Sequence, residues 1–249
     1  MRVFRAIVTT PTLGAGMATQ RDDMLAEQIL EVRYPASGSF LDVRGSVADQ
    51  IRTKGFLSHW SIEPNIINFR DDAEAVNKEM AFVGYKSAGY VVQDAPTKNF
   101  FQERAALFWR HLRDCKDFPI PKLERFGARS KIFIPTDKTF QEVYKAGCAV
   151  LYTPQALELG ATLKDVQFVF QLKTADGFEG RISGGPVAKD EAAAHLNSDS
   201  PLLSKAGFFI DVDLYKSSGI EHDDVSKLLR DASALHWAKA DAFAAAIGI

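Results

Sequence analysis

Two pairs of charged residues have the spacing that puts polar side chains on one face of a β-sheet. Arg125 and Arg129 share the same parity in one predicted strand, and Asp211 and Asp213 share the same parity in another. Alternate residues of a strand face the same way, so each pair projects from one side of its strand. Guanidinium groups bind carboxylate or phosphate in bidentate geometry, and neighbouring carboxylates accept hydrogen bonds or hold a cation. If both pairs lie away from the helices, they face the same concavity.

Three interpretations of these four side chains are open. In the first, they pair with one another or with water, as cross-strand charges often do. In the second, they form a polar ligand surface: the arginines grip an anionic group, and the aspartates accept hydrogen bonds or hold a cation. In the third, the aspartates are catalytic, although two carboxylates alone do not define a reaction.

Trp60 and His236 are further candidates for ligand contact. Trp60 lies on a predicted strand, where an exposed ring can serve as a stacking platform. His236 lies near the apolar stripe of the last predicted helix. That position favours a buried, hydrogen-bonded structural histidine, and a ligand or proton-transfer role is the alternative.

Local signatures of metal and cofactor sites are missing from the sequence. It contains no HExxH motif, no His/Cys cluster and no GxSxG elbow, and the Gly14-x-Gly16 pair lacks the third glycine of a dinucleotide fingerprint. Cys115 and Cys148 lie far apart and are expected to be reduced packing residues, as in a cytoplasmic protein. We therefore predict no metal and no cofactor, and we assign no catalytic residue.

Composition narrows the class of partner. Hydrophobic residues make up 46% of the chain and charged residues 25%, which is typical of globular proteins. The formal net charge of -2 offers no general attraction for phosphate backbones, so no nucleic-acid coat is expected, while a local basic stripe stays open. No apolar run approaches the roughly 20 residues that span a bilayer, so no membrane association is predicted. A protein or an anionic ligand remains as the expected partner, and the oligomeric state is open.

The order of predicted elements is repeated along the chain. In each half a strand, a short helix closed by glycine, several strands and a long amphipathic helix follow one another. We write this order as β-α-β-β-β-β-α, twice. It divides the chain into an N-terminal extension at 1–22, a first repeat at 23–118 and a second repeat at 119–249. Either Met1 or Met17 is the natural start.

This element order predicts an α+β fold. It resembles the topology of the TATA-binding protein, in which two β-α-β4-α repeats share a curved antiparallel sheet with the helices on one face. The resemblance does not extend to DNA binding, because the paired phenylalanine wedges of that protein have no counterparts at identifiable strand positions and the net charge is unsuited to a DNA saddle. A helix-grip fold, with one long helix cradled by a bent sheet around a ligand cavity, is the alternative.

Three stretches of the chain resemble a sporadically distributed prokaryotic family of uncharacterised proteins of about this length. They are Glu31-Val32-Arg33-Tyr34-Pro35, the R-x-G-x-R strand of Arg125 to Arg129, and a tail with a D-x-D strand at Asp211 to Asp213 and an H-x6-F-x3-I helix from His236 to Ile247. Gly248 stands where a threonine is expected. The family has no assigned activity, so the resemblance implies no function.

Two functional classes follow from these residues. The favoured class is a non-catalytic binding protein whose sheet concavity holds a protein segment, a nucleic-acid end or an anionic metabolite. The alternative is an enzyme that acts on a small anionic substrate held by the arginines, using Asp211, Asp213 and His236. Convergence of these side chains in one pocket favours the enzyme, whereas a wide open polar face favours a macromolecular partner.

Overall fold

A single antiparallel sheet of nine strands organises the described part of the chain, which comprises residues 24–71, 78–157, 165–196 and 198–249 of a computed structural model. The strands are β1 (Leu25–Arg33), β2 (His59–Glu63), β3 (Ile66–Arg70), β4 (Glu79–Gly84), β5 (Ser87–Gln93), β6 (Arg125–Thr136), β7 (Phe168–Lys173), β8 (Glu179–Val187) and β9 (Ala206–Lys216). The helices are α1 (Phe40–Arg52), α2 (Phe100–Arg113), α3 (Phe140–Leu151), the one-turn α4 (Pro154–Leu157) and α5 (Val225–Ile247). The predicted α+β class with an antiparallel sheet is confirmed, and the predicted extension at 1–22 lies outside the described residues.

Strands β1 and β6 lie side by side in the middle of the sheet. The strand order is β2-β3-β4-β5-β1-β6-β9-β8-β7, so the first half of the chain occupies one side of the β1–β6 pair and the second half occupies the other. The register aligns Leu25 with Phe133 at one end of this pair and Arg33 with Arg125 at the other. The two halves are therefore joined by continuous strand pairing.

The second half differs from the predicted element order. Within the described residues it has three strands between its first and last long helices, where four were predicted. After α3 the described chain contains the one-turn helix Pro154–Leu157, in which the proline occupies the first position, where no backbone N–H is needed.

All four long helices pack on the same face of the sheet. One row of β6 residues, Phe126, Ala128, Ile132 and Ile134, is at most 1% exposed beneath them. Helix α2 contributes a buried stripe of Phe101, Ala105, Phe108 and Leu112, which recur at helical spacing. These rows form one apolar cluster, so the opposite sheet face, called the open face below, carries the alternate side chains. No helix among the described residues is long and apolar enough to cross a membrane.

One end of the open face is covered by the connection between β8 and β9. This connection, residues 188–196 and 198–205, is called the strap below, and it contains two short 3-10 turns. Its Leu196 and Leu203 join a second apolar cluster with Leu25 and Phe133 of the two central strands. The Ser198 hydroxyl hydrogen-bonds the carboxylate of Asp94 in the first half. The strap therefore seals the Leu25–Phe133 end of the open face and leaves the Arg33–Arg125 end uncovered.

Candidate ligand-binding site

The open face brings the two predicted charge pairs together. Strands β6 and β9 are neighbours, and their register places Arg129 opposite Asp213 and Lys131 opposite Asp211. The intervening residues Ser130 and Val212 are buried beneath the helices, so the charged residues project from the other side. The four side chains singled out from the sequence therefore lie on one face of two adjacent strands.

Arg129 and Asp211 form a two-point ion pair. Arg129 donates from Nε to Oδ1 of Asp211 at 2.8 Å and from Nη2 to Oδ2 at 2.6 Å, and Asp211 is 7% exposed. This hydrogen bonding raises the pKa of the Arg129 guanidinium, against the opposing effect of burial. Arg181 of β8 is a more distant second cation, with its Nη2 atom 4.0 Å from Oδ2 of Asp211. Arg129 and Asp211 therefore agree with the ion-pair interpretation. The Nε and Nη2 donors of Arg129, which could bind a ligand in bidentate geometry, already bind Asp211.

Two more ion pairs lie on the open face together with the Arg129–Asp211 pair. Lys131 donates to Oε1 of Glu27 across the central strand pair at 2.6 Å. Arg33 donates to Oε2 of Glu31 on its own strand, from Nε at 3.0 Å and from Nη2 at 2.8 Å. Most of the charges near the centre of the open face are therefore matched within the protein.

Arg125, unlike these paired residues, has an aromatic ring as its neighbour in place of a carboxylate. Its guanidinium carbon lies 4.6 Å from the centre of the Tyr215 ring, and no carboxylate of a described residue lies within 4 Å of its nitrogen atoms. Its partner position on the neighbouring strand is another cation, Arg33. A guanidinium stacked on a ring keeps its in-plane N–H groups available, so Arg125 can donate to an incoming acceptor.

A hollow of about 220 Å³ opens beside Arg125. Gly127 and Ile29 lie in its floor, and Glu31, Arg33, Arg125, Arg129 and Asp213 stand around it. Gly127 makes the space, since a Cβ built there would meet only the carbonyl oxygen of Glu31, at 3.6 Å. The hollow, called the central hollow below, thus combines three guanidinium groups with two carboxylates above a small, partly apolar floor.

Asp213 is the acceptor side of the central hollow. It lies opposite Arg129 on one neighbouring strand and opposite Arg181 on the other, but no cation of a described residue lies within 4 Å of its carboxylate. Its negative charge helps to raise the pKa of both Arg33 and Arg129, so it acts on the same space as these guanidinium groups. Its oxygens remain available to a hydroxyl or ammonium donor.

Trp60 lies far from the central hollow. It is on the edge strand β2, with four strands between it and β6, and the residue is 42% exposed. Its register partner is Phe69, which is fully buried beneath the helices, so Trp60 points to the helix-bearing side of the sheet. An exposed stacking ring was predicted, but the structure does not bring it to the arginine–aspartate face.

His236 also lies on the helix-bearing side. It is fully buried, and its Nδ1 atom is 2.6 Å from the hydroxyl oxygen of Ser130, which alternates with Arg129 and Lys131 along β6. Burial lowers the pKa of this imidazole to about 3, although the nearby backbone of Ala128 and the charge of Asp211 favour the protonated form. His236 and the two aspartates therefore lie on opposite faces of the sheet, and the structure does not bring the imidazole to the aspartate carboxylates.

The sequence reasoning did not single out Arg33, which lines the central hollow, or Tyr215, whose ring lies against Arg125. Tyr215 has the same parity as Asp211 and Asp213, and this signal could have identified it. The pairing of Arg33 with Arg125 depends on a register between strands that are distant in sequence, so no local pattern indicates it.

Metal binding has little support in the described part of the chain. No group of three or more His, Cys, Asp or Glu side chains converges there. Both carboxylate oxygens of Asp211 already accept hydrogen bonds from Arg129. The two aspartates are therefore poorly placed to hold a cation together.

Comparison with protein families and with curated proteins adds no information about the site. No family model matches the chain, and no curated protein matches it significantly.

Proposed function

We propose that this is a non-catalytic binding protein that holds an anionic ligand in the central hollow. The observation that carries the proposal is the alignment of Arg33 with Arg125 across the central strands. Like charges directly opposite one another destabilise a strand pair. Glu31 offsets the charge of Arg33, but Arg125 has only the face of Tyr215. An oxyanion bound between the two guanidinium groups removes this repulsion and satisfies the free donors of Arg125.

The surrounding ion pairs give the site its rigidity. Arg129 is held by Asp211, and Lys131 is held by Glu27, so the strands beneath the ligand are crosslinked by charge-assisted hydrogen bonds. Asp213 then accepts a hydrogen bond from a hydroxyl or ammonium group of the same ligand. A volume of about 220 Å³ is below the usual range of drug-sized pockets, so it suits a small metabolite or the charged end of a larger partner.

Catalysis by Asp211, Asp213 and His236 has less support. Asp211 is neutralised by Arg129, and His236 contacts Ser130 on the other side of the sheet. Asp213 is left without a base or nucleophile beside it among the described residues, and one carboxylate does not define a reaction.

The sheet order supports a duplicated origin of the fold. The strand order β3-β4-β5-β1 in the first half corresponds to β7-β8-β9-β6 in the second half. Each half also ends in a long helix, and both helices pack on the same face of the sheet. We infer a repeat of the TATA-binding-protein type in preference to a helix-grip fold. Superposing the halves in the same chain direction tests it, and failure of the paired strands to overlay would contradict it. The buried free thiols Cys115 and Cys148 fit the cytoplasmic location proposed for the protein.

Titration with inorganic phosphate and small carboxylates tests the proposed ligand class. The Arg125→Gln variant is expected to weaken phosphate binding about tenfold or more, since a charge-assisted contact is lost. The exposed Arg230 of α5 provides a matched control, because Arg230→Gln removes the same charge from the helix-bearing side. Calorimetry measures both, with thermal melts to check the fold. Equal affinities for Arg125→Gln and the unmodified protein would refute the site.

A further inference from the structure

The charges around the central hollow balance once the internal ion pairs are counted. Two such pairs hold most of these charges, Arg33 with Glu31 and Arg129 with Asp211. Arg125 and Asp213 remain as one cation and one anion, and neither has an oppositely charged group of a described residue within 4 Å. Arg181, which is opposite Asp213 on β8, lies 4.0 Å from Asp211 instead. The hollow therefore offers a ligand one free positive and one free negative group.

The free cation and the free anion lie at different levels along the strands. Asp213 is opposite Arg129, which follows Arg125 by four residues on β6. The Arg125 guanidinium rests on the ring of Tyr215, which is two residues from Asp213 on β9. Two residues of a strand span about 7 Å, so a gap separates the two charged groups. Gly127 alternates with the two arginines on β6 and forms the floor of this gap.

This charge balance disfavours a ligand that is only anionic. An anion bound to Arg125 lies in the field of Asp213, whose negative charge also acts on Arg33 and Arg129. In a partly buried site this repulsion is only partly screened by water and salt. A cationic group on the same ligand replaces the repulsion by a charge-assisted hydrogen bond to the Asp213 carboxylate. The hollow therefore fits a ligand that carries both charges.

We propose that the ligand of the central hollow is a small zwitterion, with a carboxylate and an ammonium group and no net charge. The carboxylate binds between Arg33 and Arg125, and the ammonium group donates to Asp213. This inference rests on the proposed anion binding at the central hollow and names the class of ligand that it selects. The strand spacing between the two contacts limits the separation of the ligand's charged groups to about 7 Å, which is within the reach of short amino acids.

Pairs of ligands that differ only in the ammonium group test this inference. Calorimetry compares glycine, β-alanine, 4-aminobutanoate and 6-aminohexanoate with acetate, propanoate, butanoate and hexanoate. At least one amino acid is expected to bind about tenfold or more tighter than its matched carboxylate, because a second charge-assisted contact is added. If phosphate or the carboxylates bind through Arg125 and no amino acid binds tighter, the zwitterion is refuted while the proposed function stands. If neither the anions nor the amino acids bind, both fall.

Asp213 variants locate the ammonium contact. Asp213→Asn is expected to remove the gain of the best amino acid, while phosphate affinity stays unchanged or rises because a nearby negative charge is lost. Asp213→Glu is expected to keep a gain, since the charge remains. Asp42→Asn is the matched control, because it removes the same charge from an exposed position of α1 on the helix-bearing side. Thermal melts establish that each variant folds. A gain that persists in Asp213→Asn would overturn the inference.

Discussion

Arg129 and Asp211 are joined by two parallel hydrogen bonds, of 2.8 and 2.6 Å, across two strands that are more than 80 positions apart in sequence. Asp211 is nearly inaccessible, whereas the Arg129 side chain is 39% exposed. Loss of the arginine charge leaves a buried carboxylate without its counter-charge, whereas loss of both charges leaves no unpaired charge at this position. The pair thus has a structural role. The neighbouring Arg125, by contrast, stacks on Tyr215 and has no carboxylate partner among the described residues.

Removal of the Arg129 charge is expected to destabilise the fold more than removal of the Arg125 charge. Arg129→Gln should lower the free energy of unfolding by about 1–3 kcal/mol, which is less than for a fully buried pair because water reaches Arg129. Arg125→Gln should cost less than about 1 kcal/mol, since it loses one cation–π contact. Urea titration measures both.

Neutralising both members of the ion pair provides the control for that comparison. The double variant Arg129→Gln, Asp211→Asn is expected to regain about half or more of the lost stability, because no unpaired charge is left under the surface. If the double variant is less stable than Arg129→Gln alone, the buried carboxylate is not the source of the loss.

Stability is expected to decrease as the pH falls below neutrality because of His236. Its folded-state pKa, about 3, lies below the ordinary value of 6.5, so the unfolded state binds more protons between these values. Its contribution is fully present above about pH 6.5 and declines as the pH falls toward 3. Urea titrations between about pH 5 and 8 measure the slope, to which one such histidine adds up to about 1.4 kcal/mol per pH unit. His236→Gln should flatten it, and an unchanged slope in that variant would contradict the assignment.

Filling the central hollow at Gly127 is expected to weaken ligand binding strongly without unfolding the protein. A Cβ at this position meets only one atom, at 3.6 Å, and a β-branched residue suits a strand, so Gly127→Val should leave the melting temperature unchanged or raised. Phosphate affinity should fall about tenfold or more because the side chain occupies the floor of the site. Calorimetry and a thermal melt check the two expectations.

Gly180 supplies the contrast for the Gly127 experiment. A Cβ there would overlap the carbonyl oxygen of Asp213, so Gly180→Ala should lower the free energy of unfolding by about 1–3 kcal/mol. A Gly127→Val variant that is destabilised as strongly as Gly180→Ala would show that the central hollow has no room for a side chain.

The strap is expected to contribute stability without contributing to the ligand site. Leu196 is 3% exposed in the cluster with Phe133, so Leu196→Ala should cost about 2–4 kcal/mol. Phosphate affinity, corrected for the folded fraction, should stay within about twofold, because the central hollow lies at the uncovered end of the strands. Urea titration and calorimetry measure the two quantities, and a large loss of affinity would mean that the strap supports the site.

The sequence alone predicted that each charge pair projects from the side of its strand opposite an apolar row. Strand geometry repeats every two residues, so the alternation of Phe126 and Ala128 with Arg125 and Arg129 predicted one buried row and one polar row. The same local rule applied to Asp211 and Asp213, and it needed no knowledge of the partner strand.

Only the tertiary structure decided which charges meet. Arg129 bonds Asp211 and leaves Asp213 without a cation within 4 Å among the described residues, and Arg33 faces Arg125, because strand register brings together residues that are distant in sequence. Register depends on the packing of whole strands and helices, which a local pattern does not encode. For the same reason the sequence placed His236 in a helix near the core but could not show that Ser130 is its partner or that the sheet separates it from the aspartates.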